Sequence, residues 1–176
     1  MKLIAAVLCA AAAVAPLSVA QAKGGGEPAD LLKGKIIISD KRLPTNWSSP
    51  ASYASQLKGM NKSTLWYDKK TGKLKIEYAA FFATKLDDVQ CNLVIYDITN
   101  GARDRKATTE QFTHRGDRVI INSITLDKED FEMNKKYRFV MENRGKTLAT
   151  GELIIRGEGE HYSGKVEFSD EETKAK

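Results

Sequence analysis

Cysteine is nearly absent from this chain: 176 residues hold two, and Cys9 falls in an apolar stretch near the amino terminus, which leaves Cys91 alone in the remainder. A lone thiol excludes an internal disulfide, so cohesion must come from apolar burial and backbone pairing. Histidine is equally scarce. His114 sits in a turn beside Arg115, and His161 follows Glu158-Gly159-Glu160; neither has a second His or Cys at zinc-ligand spacing. No Gly-x-Ser-x-Gly elbow, phosphate-binding Gly-Lys loop or His-Glu-x-x-His occurs. No catalytic residue, metal ligand or cofactor is therefore expected. An enzyme or metal-binding protein remains the alternative only if its site is assembled from residues distant in sequence.

A concentrated charge is missing as well. The chain has 28 basic and 23 acidic residues, a net +5. The basic groups Lys69-Lys70, Arg103, Arg105 and Lys106, and Lys135-Lys136 fall at scattered loop ends, which predicts a wet surface and no nucleic-acid partner. Asp127, Glu129, Asp130 and Glu132 are interleaved with Lys128, Lys135 and Lys136 and lack the spacing of a calcium loop, so an ordinary solvated connection is expected.

One long apolar run exists, at the start. Met1-Lys2, the run Leu3 to Val14, the break at Pro16 and the small residues of Ala20-Gln21-Ala22 have the order and lengths of a secretory signal. The run is shorter than the roughly 20 residues of a membrane span. Residues 1–22 are thus expected to be removed after Ala22, giving a secreted or periplasmic protein that starts at Lys23 and has no membrane span. The single lysine and alanine-rich core have a bacterial character, so the sequons at Asn46-Trp47-Ser48 and Asn61-Lys62-Ser63 are expected to carry no glycan. Residues 23–30, rich in glycine, read as a flexible leader, 31–168 as one domain, and the charged 169–176 as a flexible tail.

Within 31–168 the dominant period is two. In Lys73 to Phe82, residues Leu74, Ile76, Tyr78, Ala80 and Phe82 share one face while Lys73, Lys75 and Glu77 share the other. Similar short runs at Lys35–Ser39, Ser63–Asp68, Cys91–Ile98, Ala107–Thr113, Arg118–Leu126, Tyr137–Glu142, Lys146–Arg156 and Gly164–Phe168 are separated by turn signals. Lys69 to Gly72 is expected to turn the second strand into the third, and Asn143-Arg144-Gly145 to close a hairpin. Without βαβ alternation, the pattern predicts an all-β, antiparallel β-sandwich of about seven to nine strands. Leu74, Ile76, Tyr78, Leu93, Ile95, Phe139 and Leu153 are expected to face its core, with Cys91 a buried, inert thiol.

Phe131 followed by Tyr137-Arg138-Phe139-Val140-Met141 resembles the approach to the penultimate strand of immunoglobulin-like and fibronectin type III modules. That resemblance implies a sandwich whose tyrosine ties down a corner, and it implies no function.

The segment Asp40 to Lys62 breaks the rhythm. Ser49 is placed to cap a short helix, with Pro50 in its first turn and Gly59 just past its end; Tyr53 and Leu57 would share its buried side. Trp47 and Tyr53 are the binding candidates of the chain, because exposed aromatics on a loop suit a protein or glycan partner in the cell envelope. The competing expectation is that both cover the open end of the sandwich as a lid. The function expected is an exported, non-enzymatic binding module or structural component of the envelope.

Overall fold

A computed structural model describes residues 26–157. The expected signal segment, the strand at 164–168, the tail and His161 lie outside the described residues. Two short helices and eight strands follow in the order α1 (Pro28–Leu32), β1 (Ile36–Ser39), α2 (Pro50–Met60), β2 (Thr64–Trp66), β3 (Lys73–Phe81), β4 (Gln90–Asp97), β5 (Asp104–Phe112), β6 (Val119–Asp127), β7 (Lys135–Asn143) and β8 (Lys146–Arg156). The strands form two sheets, ordered β1-β3-β6 and β2-β8-β7-β4-β5. No helix among the described residues is long and apolar enough to cross a membrane.

The sheets face each other across one apolar cluster. Leu74, Ile76 and Tyr78 of β3 meet Leu93 and Ile95 of β4, Phe139 of β7 and Leu153 of β8, all buried, so the inward faces read from alternation are the inward faces of the fold. Cys91 belongs to the same cluster, with its Sγ 3.4 Å from Met141 Sδ. Burial pushes its thiol up to about 11, which keeps it protonated and unreactive at neutral pH.

Local chemistry explains the close contacts. Arg144 and Gly145 both take positive φ (49° and 77°), the geometry a two-residue hairpin needs, and β7 pairs with β8 across them. A Cβ on Gly151 would lie 2.7 Å from Ile36 O, so only glycine lets β1 approach β8 this closely.

Three expectations need correction. β2 does not turn back onto β3; it pairs in parallel with β8, Leu65 opposite Ile155, so the five-stranded sheet is mixed and not purely antiparallel. The reason is that β3 already has β1 on one side and β6 on the other, whereas pairing with β8 lets Leu65 and Tyr67 enter the core. β5 and β6, joined through His114 to Asp117, belong to different sheets. Helix α2 runs through Gly59 to Met60; its stop is Asn61, whose N–H donates to Leu57 O and whose Oδ1 accepts from Ile38 N–H at 2.9 Å. Packing starts earlier than residue 31, because Pro28 opens α1 and both Ala29 and Leu32 are buried against α2 and β3.

Candidate functional site

The three-stranded sheet is covered on its outer face as well. Ser49 Oγ accepts from Ser52 N–H at 3.2 Å and sets the start of α2, with Pro50 in the first turn. That start turns Tyr53, Ala54 and Leu57 toward the sheet, where they meet Ile37, Ala79 and Phe81. Tyr53 is 2% exposed, and its hydroxyl donates to Pro44 O at 2.7 Å, folding the preceding loop back onto the helix. Burial raises its pKa above the ordinary tyrosine value.

Trp47 rides on that support. Its ring centroid is 4.8 Å from that of Tyr53 at an interplanar angle of 31°, yet it stays 51% exposed. The two sequence candidates are therefore brought together in unequal roles. Tyr53 is a buried backing, and Trp47 presents half of its surface to solvent.

The helical layer lies over β1 and β3 and leaves a gap at β6, of which Val119 and Ile121 pack against it while staying partly exposed. A cleft of about 370 Å³ opens in the gap. Trp47 and Tyr53 form one wall, residues Glu27 to Ala29 another, Val119 and Ile121 of β6 the floor, and the turn Gly116 to Arg118 the far rim. Both floor residues are only half buried.

Arg118 organises this cleft. Its Nη1 donates to Glu27 Oε2 at 3.1 Å, and its Nη2 to Asp30 Oδ1 at 2.7 Å and to Ala83 O at 3.2 Å. The hydrogen bond from Arg118 holds the Asp30 carboxyl below its ordinary pKa. Glu27 and Asp30 also form a reciprocal capping pair at the start of α1. Asp117 accepts from His114 N–H (2.8 Å) and Thr113 Oγ1 (2.9 Å), and the backbone bond lowers its pKa in turn.

None of these polar residues was legible as a set. Arg118 lies 91 and 88 residues from its two carboxylate partners, and Glu27 and Asp30 sit in a stretch whose glycines suggest a leader. His114 is solvent-exposed and faces Asp117 at 3.5 Å. Among the described residues no group of three or more His, Cys, Asp or Glu side chains gathers as metal ligands. The acids near β7 serve charge pairing: Lys135 Nζ lies 2.9 Å from Glu132 and 3.1 Å from Asp97. No protein-family profile and no curated protein matches this chain.

Proposed function

We propose that this protein is an exported, non-enzymatic binding module of the cell envelope, carried on an immunoglobulin- or fibronectin type III-like sandwich. The fold reading is supported by strand order. With β2 set aside as an added edge, β1-β3-β6 faces β8-β7-β4-β5, the three-and-four division of those modules. It is supported further by Tyr137, whose hydroxyl donates to Glu132 O at 3.0 Å just ahead of the penultimate strand, as a corner tyrosine does.

The binding reading rests on one observation above all. A half-exposed indole, seated on a buried tyrosine, walls a cleft that the helical layer leaves open. A rigidly held aromatic offers contact area at low entropic cost, and loops held on a firm scaffold are where recognition residues gather. The test uses a partner identified by co-purification from the native envelope. Trp47→Ala should weaken its binding by more than about 1 kcal/mol, the threshold of an important contact. The thermal midpoint should hold, because half of the ring is already in solvent. Unchanged affinity would remove the cleft from consideration, and a large loss of stability would return Trp47 to a purely structural lid.

A further inference from the structure

The three-stranded sheet ends at β6, whose far side pairs with no described residue. Two hydrogen bonds bracketing the strand fix the phase of its main chain. Phe82 N–H donates to Arg118 O at 2.8 Å, and Lys128 N–H donates to Gly72 O at 3.1 Å. Main-chain groups alternate in direction along an antiparallel ladder, so even-numbered residues of β6 point toward β3 and odd-numbered ones away. The register runs unbroken from Lys73↔Asp127 to Phe81↔Val119 and preserves that phase. Val119, Ile121 and Thr125 therefore aim their N–H and C=O groups outward, and no described residue meets them. Ser123 is partly served, since its N–H donates to Asn122 Oδ1 at 2.8 Å.

Among the described residues, nothing blunts this edge. Val119 to Leu126 contains no charge and no proline, and the ladder has no bulge. Edge strands that must stay unpaired usually carry such devices. One edge of the other sheet carries them: β5 has Asp104, Arg105, Lys106 and Glu110, and its register slips at Lys106.

The same odd-numbered residues, Val119 and Ile121, floor the cleft. A strand laid along β6 would thus run beside Trp47. The charge there is negative in excess: of the charged residues that line the cleft, Glu27 and Asp117 are carboxylates and Arg118 is the one guanidinium, already bonded to Glu27 and to the neighbouring Asp30. Arg115, on the adjoining turn, is exposed to solvent. An indole face beside carboxylates favours a cation.

We propose that β6 receives an extended segment of a partner protein by strand addition, with a Lys or Arg of that segment resting against Trp47 and facing the carboxylates. Main-chain bonds would supply affinity, and the cleft would select the cationic side chain. The inference rests on the cleft being a binding site, and its test separates the two.

The probe is the blocked peptide Thr-Val-Thr-Arg-Thr-Val-Thr, titrated into isotope-labelled protein. The amides of Val119, Ile121 and Thr125 should shift and exchange more slowly. Those of Ile120, Ile124 and Leu126, already bonded to β3, should not slow. N-methylation of alternate peptide amides should weaken binding by about tenfold or more, the loss of one or two net hydrogen bonds. Glu in place of the peptide's Arg should weaken it by about fivefold, as a solvent-exposed cation–π contact would predict. In the protein, Thr125→Pro deletes one outward N–H without touching a bond to β3 and should reproduce the N-methyl effect, while Thr125→Val should bind normally. If Thr125→Pro fails to fold, the N-methylated peptide carries the test alone. Outward amides that stay unmoved at millimolar peptide, or an N-methylated peptide that binds as well as its parent, overturn strand addition. Binding lost in Trp47→Ala but intact in Thr125→Pro and toward the N-methylated peptide would leave the cleft standing and refute the strand. The reverse pattern would refute the cleft.

Discussion

The three-stranded sheet is covered on its inner face and, over β1 and the Ala79–Phe81 end of β3, on its outer face as well, by two different kinds of cover. Its inner face meets the five-stranded sheet, and Ile76, Tyr78 and Leu74 share one core with buried side chains of β2, β4, β7 and β8, each strand paired to a neighbour. Its outer face meets a layer made of two short helices and a loop. That layer is fastened by the Ser49 cap, the Tyr53 to Pro44 hydrogen bond, the Asn61 link to β1 and the two ion pairs of Arg118. The inner cover is one continuous apolar cluster drawn from both sheets. The outer cover can loosen one fastener at a time, and low local stability is the usual property of segments that bind.

The largest expected effect lies in the inner cover. Ile76→Ala should cost about 2–5 kcal/mol, the range for truncating a buried aliphatic residue, and every probe of unfolding should report it together. Lys75→Ala, one residue along, should cost less than about 0.5 kcal/mol, because its ammonium is exposed and pairs only with Glu77 at 2.9 Å on the same strand. Urea titrations showing equal effects at the two positions would contradict the burial of β3.

The same contrast accounts for what could be read from sequence. Alternation in Lys73 to Phe82 assigns Leu74, Ile76 and Tyr78 to a core because a strand with one wet face has a clear period of two. The signal fails from Ala79 onward, where β3 is buried on both faces beneath α2 and consecutive residues are all inside. The helix itself was legible through Ser49 and Pro50, whose roles are local. Its end was not, because Asn61 is recruited by Ile38 across the chain. Pairing of β2 with β8 was hidden for the same reason: the choice depends on which sheet edge is free, and no neighbouring residue encodes that. In the cleft, Trp47 and Tyr53 announced themselves as aromatics in an irregular segment. Arg118, Glu27 and Asp30 acquire meaning only through tertiary contact.

A smaller effect should appear in the outer cover alone. Ser49→Ala removes the acceptor for Ser52 N–H and should cost about 1 kcal/mol, as helix caps generally do. Hydrogen exchange should show that cost in the amides of α2 while leaving β3 and β7 protected. A uniform loss of protection across all strands would mean that the helical layer and the inter-sheet core unfold as one unit, and the distinction between the two covers would fall.

The smallest expected effect is the acid release of α1, which follows from the sign of one shift. The hydrogen bond from Arg118 holds Asp30 below the ordinary pKa of about 4. A carboxylate depressed in the folded state contributes stability that is present above its unfolded pKa and lost as pH falls through the folded one. Arg118 keeps its charge throughout, so protonation of Asp30 removes one of the two partners that tie α1 to β6. The ion pair is solvent-accessible and therefore weak in salt, so the response should be local. Amides of α1 should stay protected from pH 7 to about 5, lose protection below about 4, and do so before the amides of β3 or β7. In a Trp66→Phe background, the emission of Trp47 should change over the same interval, since the Glu27 wall of its cleft moves with α1. Asp30→Asn should be loosened at every pH and should flatten the acid response. Simultaneous loss of protection in α1 and the strands, with Asp30→Asn following the native curve, would show that the two ion pairs of Arg118 do not set the stability of the outer cover.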